Sequence, residues 1–344
     1  MFRKEDTQAV KGIAIIAMLI HHLYLFDASA FVKINSLHDL VNVSSSMGKV
    51  CVSLLTILSG YGLMESYKKM KNKSLVGKTK FVISHLIQLY SMYCVIWLVI
   101  FIYKVIVVKD FVTVYGKGCG AAFNIIMDFF GVAQLFNSNV LIGMWYILAI
   151  VLMYVSFPIM ERFVRKGGYI ILAVLYLPWV IVLINMFYPM MIINTDQYLF
   201  CTFPFALGIF LSQKQLLGKI KLNKVYSWGI MFIAVILRWL IRLPFDAFLA
   251  LVIVIFEKNI ISNTNHIKKV LVTLGKHSAN IWLLHLTVAG VLSGLVSRSE
   301  ILDKIPFFML VLAISLFISI VVENVKHITH FDKFIKKVRI KVQK

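Results

Sequence analysis

Residues 10–24 read VKGIAIIAMLIHHLY, and they lie within the first apolar run of the chain, residues 8–26. A helix needs about 20 apolar residues to cross the roughly 30 Å hydrocarbon core of a bilayer. This run is therefore long enough to form a transmembrane helix. Runs of similar length recur along the chain and predict ten transmembrane helices in all, at 8–26, 46–66, 81–108, 140–161, 168–187, 194–213, 225–241, 244–261, 271–296 and 306–325.

The composition supports the same interpretation. The chain has 344 residues, of which 60% are apolar and only 15% are charged. A soluble chain of this length is about 25% charged, because charged side chains cover its surface. Strands with open edges in lipid would leave backbone groups without hydrogen bonds. We therefore predict an all-α fold, a polytopic transmembrane helical bundle. It is expected to form one integral membrane domain over residues 1–344, with a basic tail from about residue 326.

The net charge of +21 is distributed as a topology signal. In the ten-helix arrangement, 25 of the 36 basic residues fall in every second connecting segment, whereas seven fall in the others. This asymmetry follows the positive-inside rule and predicts that both termini are cytoplasmic. Membrane lipids are the expected partner of these charges, and nucleic acid is not. The tail from Lys333 to Lys344 either neutralises anionic headgroups or binds a specific partner. The four cysteines show no ligand spacing, so no metal site is expected.

Two ionisable residues of the first helix are functional candidates, because such residues are costly inside a membrane. Lys11 and His22 are eleven residues apart, which is within about 20° of complete helical turns and an axial separation of roughly 16 Å. They therefore share one face, and His21 points about 80° away. An anionic donor held near Lys11 would extend towards His22, which is suited to act as a general base near neutral pH. In the alternative, Lys11 snorkels and His22 bonds a neighbouring helix.

Several segments, taken in order, resemble the acyltransferase-3 family of bacterial membrane O-acyltransferases. That family has a basic residue, usually Arg, eleven positions before a His in its first helix, and this chain has Lys11 and His22 there. The other matching segments are Leu58-Ser59-Gly60-Tyr61-Gly62, Met144-Trp145-Tyr146-Ile147-Leu148 through Phe157-Pro158, and Leu274-Gly275-Lys276-His277-Ser278 through His285. The subgroup resembled is the stand-alone form without a periplasmic hydrolase domain.

The resemblance implies a function. Such enzymes move an acetyl or other short acyl group from cytoplasmic acyl-CoA, with acetyl-CoA expected, to a hydroxyl of a cell-envelope or exported glycan. No bound cofactor is implied. The acceptor is a glycan or a lipid-linked saccharide, the setting is the bacterial cell membrane, and the envelope polysaccharide assembly machinery is a possible partner. Lys11 holds the donor phosphates and His22 acts as general base or relays the acyl group. The implied substrate-binding residues are Ser59, Gly60, Tyr61, His85, Trp145, Ser278 and His285.

One departure from the family concerns the third predicted helix. Family members carry a pair of Arg residues three positions apart, where this chain has His85 and Gln88. A guanidinium that binds phosphate in a bidentate manner is not replaced conservatively by these side chains. Either Lys78, Lys80 and their neighbours hold the donor phosphates instead, or this chain differs from the family in its donor or in its reaction rate.

Several of these residues have a structural alternative. The Ser59-Gly60-Tyr61 segment indicates either substrate contact or close helix packing. Ser278 and His285 are seven residues apart on one helical face. They form either a polar wall opposite His22 or local hydrogen bonds within the bundle.

Two charged positions also have open interpretations. Glu65 either pairs with Lys11 or lies at headgroup level beside Lys68. Arg238 and Arg242 anchor the outer interface in the preferred interpretation, and contact an anionic glycan carrier in the other.

A transporter or exporter of glycans or lipid-linked sugars is the alternative function, since it also explains ten helices with intramembrane His and Lys. The chain has no repeated halves and no paired helices broken by Gly or Pro, which mark many transporter sites. A sensor or regulatory membrane domain is a third and weaker interpretation.

Overall fold

A computed structural model describes residues 2–24, 46–71, 73–109, 111–136, 145–187, 197–293 and 304–343. These residues are almost entirely helical, and none of them forms a strand. The helices are numbered in chain order: α1 (Lys4–Tyr24), α2 (Val50–Lys68), α3 (Leu75–Ile102), α4 (Phe111–Tyr115), α5 (Gly118–Phe129), α6 (Trp145–Gly167), α7 (Tyr169–Phe187), α8 (Gln197–Gln213), α9 (Leu216–Lys219), α10 (Lys224–Ile241), α11 (Asp246–Asn259), α12 (Asn265–Lys276), α13 (Ser278–Leu292), α14 (Lys304–Ile328) and α15 (Phe331–Gln343).

The helical bundle agrees with the sequence prediction. Among the described residues, five helices are long and apolar enough to cross a membrane, namely Met47–Lys68, Leu75–Val107, Trp145–Gly167, Lys224–Ile241 and Ile305–Ile328. Shorter apolar helices cover Gly118–Phe129, Tyr169–Ile184, Tyr198–Gln213 and Ser278–Leu292. The count of ten spans and the cytoplasmic position of both termini stay predictions.

One predicted helix is wrong in its extent. The run 271–296 was expected to be continuous, but α12 ends at Lys276 and α13 begins at Ser278. His277 lies between them and its backbone is not helical. The reason is local, since the polar sequence Lys276-His277-Ser278 interrupts the apolar run.

Two helix starts follow capping rules. The Ser74 hydroxyl accepts a hydrogen bond from the Gly77 backbone N–H at 3.1 Å, which begins α3. The Asn223 side chain accepts from the Tyr226 N–H at 2.9 Å, which begins α10. These acceptors satisfy backbone donors that have no partner in the first helical turn.

The chain forms two compact units. Unit 1 comprises residues 1–70 and 156–278, and unit 2 comprises residues 71–155 and 279–344. Unit 1 therefore contains α1, α2, the second part of α6, and α7 to α12. Unit 2 contains α3 to α5, the first part of α6, and α13 to α15. The prediction of a single domain stays untested.

In unit 1 the helices approach each other at glycines. A Cβ atom at Gly60 of α2 would overlap the backbone oxygen of Phe205 in α8, and one at Gly208 of α8 would overlap the Ile57 oxygen. A Cβ at Gly12 of α1 would likewise overlap the backbone oxygen of Leu271 in α12. Small residues allow membrane helices to pack with their backbones in contact.

In unit 2, side chains that reach between helices join the helices to one another. Asn280 of α13 donates to Ser319 Oγ at 3.0 Å and to Glu323 Oε1 at 2.9 Å, both on α14. An apolar cleft of about 350 Å³ lies between α3, α13 and α14 and is lined by residues such as Val99, Leu284 and Ile314.

The basic tail is helical, which the sequence analysis did not anticipate. In α15, Ile335, Val338, Arg339 and Val342 are half-buried, whereas the lysines are exposed. Positions three and four apart lie on one face of a helix, so these four residues form a stripe. This stripe packs on α3.

Candidate functional site

Helix α1 carries Lys11 and His22, and both side chains are half-buried. At about 100° per residue they lie within roughly 40° of Ile15 and Met18 around the helix axis. Ile15 and Met18 have exposed fractions of 0% and 1%. Lys11 and His22 therefore lie on the side of α1 that faces the protein interior, with His22 in the last turn and Lys11 about two turns from the start of the helix.

The His22 end of α1 is held by the turn that precedes α2. This turn is a 3-10 helix of residues Met47–Lys49. A Cβ at Gly48 would overlap the Ala17 carbonyl oxygen and would lie 2.9 Å from the His21 backbone nitrogen. The His21 and His22 rings are 5.2 Å apart between centroids. Lys49 interacts electrostatically with His22. The backbone beside His22 is thus fixed by direct contact.

The Lys11 end of α1 is held by a buried cluster of charges. Lys268 Nζ of α12 donates to Asp6 Oδ1 at 2.8 Å, and the exposed fraction of Asp6 is 2%. The Arg3 backbone N–H donates to Asp6 Oδ2 at 2.8 Å. Glu257 of α11 is fully buried, interacts electrostatically with Asp6 and Lys268, and accepts no hydrogen bond from the described residues. Sequence reasoning assigned Lys268 to an inner loop and missed this cluster.

The residues expected from the Ser-Gly-Tyr motif have structural contacts. The Ser59 hydroxyl donates to the Leu55 carbonyl oxygen of its own helix at 2.8 Å. Gly60 is the point of backbone contact with Phe205. Close packing therefore accounts for Gly60, and a local hydrogen bond accounts for Ser59. A role in substrate binding stays a prediction for both.

Tyr61 and Glu65 follow on α2. The ring of Tyr61 packs edge-on against Phe2, with centroids 5.6 Å apart. Glu65 Oε1 accepts from Lys68 Nζ and from the Ser212 hydroxyl, each at 2.7 Å. Glu65 thus pairs with Lys68, beside which the second interpretation placed it, and its headgroup-level position stays a prediction.

His85 lies in unit 2 beside the docked helix α15. Its Nδ1 atom is 2.8 Å from the Phe81 carbonyl oxygen, and its ring packs on the Phe81 ring at 4.2 Å. The adjacent Ser84 is fully buried. Its hydroxyl accepts from Arg339 Nε at 3.2 Å and from Gln343 Nε2 at 3.0 Å. Arg339 of α15 also interacts electrostatically with His85.

The last three predicted residues, Trp145, Ser278 and His285, differ in their surroundings. Trp145 begins α6 and is half-buried. The neighbouring Tyr146 ring packs edge-on against Trp282 of α13, with centroids 5.3 Å apart. Ser278 is buried at the start of α13. His285 is fully buried, and its Nδ1 atom is 2.6 Å from the Trp282 carbonyl oxygen. This local bond fits the structural interpretation of His285. Its role in a polar wall stays a prediction.

A family model described as an acyltransferase domain, Acyl_transf_3, matches residues 6–324 of the chain. The chain belongs to this acyltransferase-3 family. No curated protein and no solved structure is significantly similar to it. The match to the family model confirms the resemblance found in the sequence motifs. Membership implies acyltransferase activity in general, and the apolar helices together with the family fit a multi-pass membrane protein.

The acyltransferase-3 match includes Lys11, His22 and every substrate-binding residue predicted from the motifs. It ends at residue 324 and leaves α15 outside. Arg339, which lies beside His85, is therefore a feature that the family motifs do not contain.

A buried acidic residue of this acyltransferase was missed. Asp128 of α5 has an exposed fraction of 2%, and its Oδ2 atom accepts from Trp97 Nε1 at 2.8 Å and from the Tyr115 hydroxyl at 2.7 Å. The Tyr93 hydroxyl donates to the Asp128 carbonyl oxygen at 2.6 Å. The isolated Asp within the apolar stretch 121–130 was the available signal.

Arg238 was also misjudged. It was expected at the outer interface, but its exposed fraction is 1% and its guanidinium pairs with Asp246. Arg242 is half-buried, and its guanidinium lies 5.8 Å from the centre of the Trp239 ring. Burial of Arg238 was not predicted, because its partner Asp246 lies in the next helix, within an otherwise apolar stretch of sequence.

Proposed function

We propose that this acyltransferase transfers an acetyl or other short acyl group from cytoplasmic acyl-CoA to a hydroxyl of a cell-envelope or exported glycan. A lipid-linked saccharide is the form of acceptor that a membrane enzyme meets most directly. The proposed setting is the bacterial cell membrane, with both termini cytoplasmic and with envelope polysaccharide assembly machinery as a partner. The donor is a substrate, and no resident cofactor is required.

The observation that carries the proposal is the placement of Lys11 and His22. They share the inward face of α1, about 16 Å apart along the axis. Both ends of α1 are held, by Lys268 at one end and by Gly48 at the other. A cation and an imidazole at fixed separation suit a long donor, whose anionic end binds Lys11 and whose thioester reaches His22.

The proposed chemistry uses His22 as general base. The acceptor hydroxyl oxygen attacks the thioester carbonyl carbon while His22 removes the hydroxyl proton. The new C–O bond forms, the C–S bond breaks, and the leaving thiolate takes the proton from the imidazolium. The products are the ester and the free CoA thiol, and His22 returns to its neutral form. Lys11 binds the phosphates and takes no part in bond formation.

As an alternative to Lys11, we propose a cationic surface for the donor phosphates that lies within unit 2 and is made by α3 and α15. Lys80 lies four residues before Ser84 and therefore one turn away on the same face of α3. Ser84 holds Arg339, and Arg339 acts electrostatically on His85. Partial burial lowers the pKa of Arg339, yet a guanidinium stays charged at neutral pH. A planar guanidinium suits bidentate phosphate binding, which His85 and Gln88 do not offer.

The substrate-binding roles of Ser59, Gly60, Tyr61, Trp145, Ser278 and His285 are part of the proposal. The Trp145 end of α6 is where we place the approach of the acceptor. For Ser59, Gly60 and His285 the local contacts already give a structural role. We therefore expect acyl transfer to the acceptor to depend on them less than on His22.

The proposal is tested by the base-labile ester content of envelope glycan in a deletion strain that expresses variants of the chain. His22→Ala is expected to abolish esters while the protein remains in the membrane at normal amounts. His21→Ala is the matched control, since it removes the neighbouring imidazole from another face of α1, and it should keep most of the esters. Esters retained with His22→Ala would contradict the proposal. Unchanged esters with trapped glycan in the deletion strain would favour export instead.

A further inference from the structure

We infer that the buried pair Arg238–Asp246 positions His22 through the turn that begins α2, which makes both residues positioning residues for acyl transfer. This inference rests on the proposed function of His22. It assigns a task to two charges that the proposed chemistry does not otherwise use.

The first step is the ion pair itself. Arg238 and Asp246 have exposed fractions of 1% and 2%, and Arg238 Nε donates to Asp246 Oδ1. Arg238 lies in the last turn of α10, and Asp246 is the first residue of α11. A cation at a helix C-terminus and an anion at an N-terminus are both favourable. Burying two charges is costly unless their geometry and further hydrogen bonds are good.

A further hydrogen bond of Arg238 connects this pair to the turn that begins α2. Arg238 Nη2 donates to the Ser46 carbonyl oxygen at 3.2 Å, across 192 positions of the chain. Ser46 directly precedes the 3-10 turn Met47–Lys49. Because a guanidinium is a rigid planar fork, one side chain holds the Asp246 carboxylate and the Ser46 carbonyl in fixed relative positions.

This turn is itself in direct backbone contact with α1. At Gly48 the turn meets the Ala17 carbonyl oxygen and the His21 backbone nitrogen so closely that no Cβ fits. This contact joins backbone to backbone and has no flexible side chain to absorb a shift. A displacement of the turn therefore moves the part of α1 that carries His22.

The same turn also carries the charge of Lys49, which acts on His22. Lys49 is half-buried and interacts electrostatically with His22 and with Asp246. If the Ser46 contact is lost, the ammonium of Lys49 shifts together with the His22 backbone. Misplacement of a catalytic group by about 1 Å can reduce a rate about a hundredfold, so a contact distant from the reacting atoms can have a large effect.

A merely stabilising role predicts something different. Replacing a buried ion pair by apolar residues of similar volume is often neutral for stability. If Arg238 and Asp246 only stabilise unit 1, activity should follow the amount of folded protein. If they position His22, kcat should fall while the protein stays folded and the KM for the donor stays unchanged.

The test uses the initial rate of transfer of labelled acetyl from acetyl-CoA into envelope glycan of the producing strain, with purified full-length protein in lipid vesicles. Arg238→Lys keeps a charge for Asp246, but a single ammonium lacks the fork that also reaches Ser46. Arg238→Met/Asp246→Leu removes both charges and leaves no unpaired charge buried. Arg242→Met is the matched control, because it removes the nearby arginine that has no contact with Ser46 among the described hydrogen bonds.

Arg238→Lys and the double variant are expected to lower kcat about tenfold or more, with Tm near the wild-type value and the KM for acetyl-CoA changed less than about twofold. Arg242→Met should keep the wild-type kcat. Wild-type kcat in the Arg238 variants, or loss of activity that only parallels loss of folded protein, would overturn the inference.

His22→Ala in the same assay separates the two proposals. If His22→Ala is inactive and Arg238→Lys has full kcat, only the positioning role is wrong. If His22→Ala keeps its rate, the proposed function itself is wrong.

Discussion

Each of the two units of this acyltransferase is stabilised internally by a different kind of interaction. In unit 1, α1 meets α12 and α2 meets α8 with their backbones in contact, as at Gly12 and Gly60. The buried Lys268–Asp6 ion pair holds one end of α1 in this unit, and the backbone contact at Gly48 holds the other. In unit 2, the joining groups are side chains such as Asp128 and Asn280, which bridge helices through hydrogen bonds. Unit 2 also contains an apolar cleft of about 350 Å³.

The difference indicates a division of tasks. Backbone contacts leave few ways for a helix to move, because no side chain can change rotamer to accommodate a shift. Unit 1 therefore holds α1, and with it Lys11 and His22, in a fixed position relative to the neighbouring helices, which the proposed role of His22 as general base requires. Longer bridges and an open cleft allow more adjustment. We expect unit 2 to contribute to binding of the donor and acceptor more than to placement of the reacting groups.

The largest expected effect breaks the backbone contact in unit 1. Gly60→Val places side-chain atoms where the Phe205 backbone oxygen lies, so α2 and α8 must separate. We expect no folded protein to be recovered from membranes, as measured by size-exclusion chromatography in detergent. Gly62→Val is the control on the same helix, because a Cβ at Gly62 has no atom within 4 Å. Equal recovery of both variants would contradict the close-packing account.

A smaller effect is expected at the Lys11 end of α1. Lys268→Met removes the buried cation that donates to Asp6, whose carboxylate then keeps only the exposed Arg3 as a cationic partner and still interacts with Glu257. Breaking a buried pair in this way costs about 3 kcal/mol or more in the free energy of unfolding, which thermal denaturation in detergent can detect as a lower Tm. Lys269→Met removes an exposed neighbour and should leave Tm nearly unchanged. Identical Tm values for the two variants would show that the pair does not anchor α1.

The smallest effect concerns unit 2 and sharpens its role in binding. Arg339→Met removes the guanidinium beside His85, so the KM for acetyl-CoA should rise about tenfold while kcat is kept. This corresponds to one charge-assisted hydrogen bond of roughly 1.4 kcal/mol. Lys341→Met, an exposed cation of the same helix, should change KM less than about twofold. A fall in kcat with unchanged KM would place Arg339 outside donor binding.

Much of the fold was predictable from sequence because its signals are local. The apolar runs around residues 46–66 and 306–325 predict helices, since length and hydropathy alone decide them. The shared face of Lys11 and His22 follows from helical geometry. Their position on the inward side of α1 agrees with that geometry, and the family match confirms the resemblance drawn from the motifs.

The remaining features depend on contacts between distant parts of the chain. Arg339 reaches Ser84 across 255 positions, and Arg238 reaches Ser46 across 192. No periodicity within one segment reports such pairs. The helix break at His277 was missed for another reason, because a short polar interruption weakens an apolar run too little to end it in a hydropathy profile.

The central claim is that His22 performs proton transfer in acyl transfer. It is tested most directly by the initial rate of transfer of labelled acetyl from acetyl-CoA to envelope glycan in lipid vesicles, compared between His22→Ala and wild-type protein at equal amounts of folded enzyme. The account predicts a rate reduced at least a hundredfold, because general base catalysis contributes about 10² to 10⁴. A rate for His22→Ala within a factor of about three of wild type would contradict it.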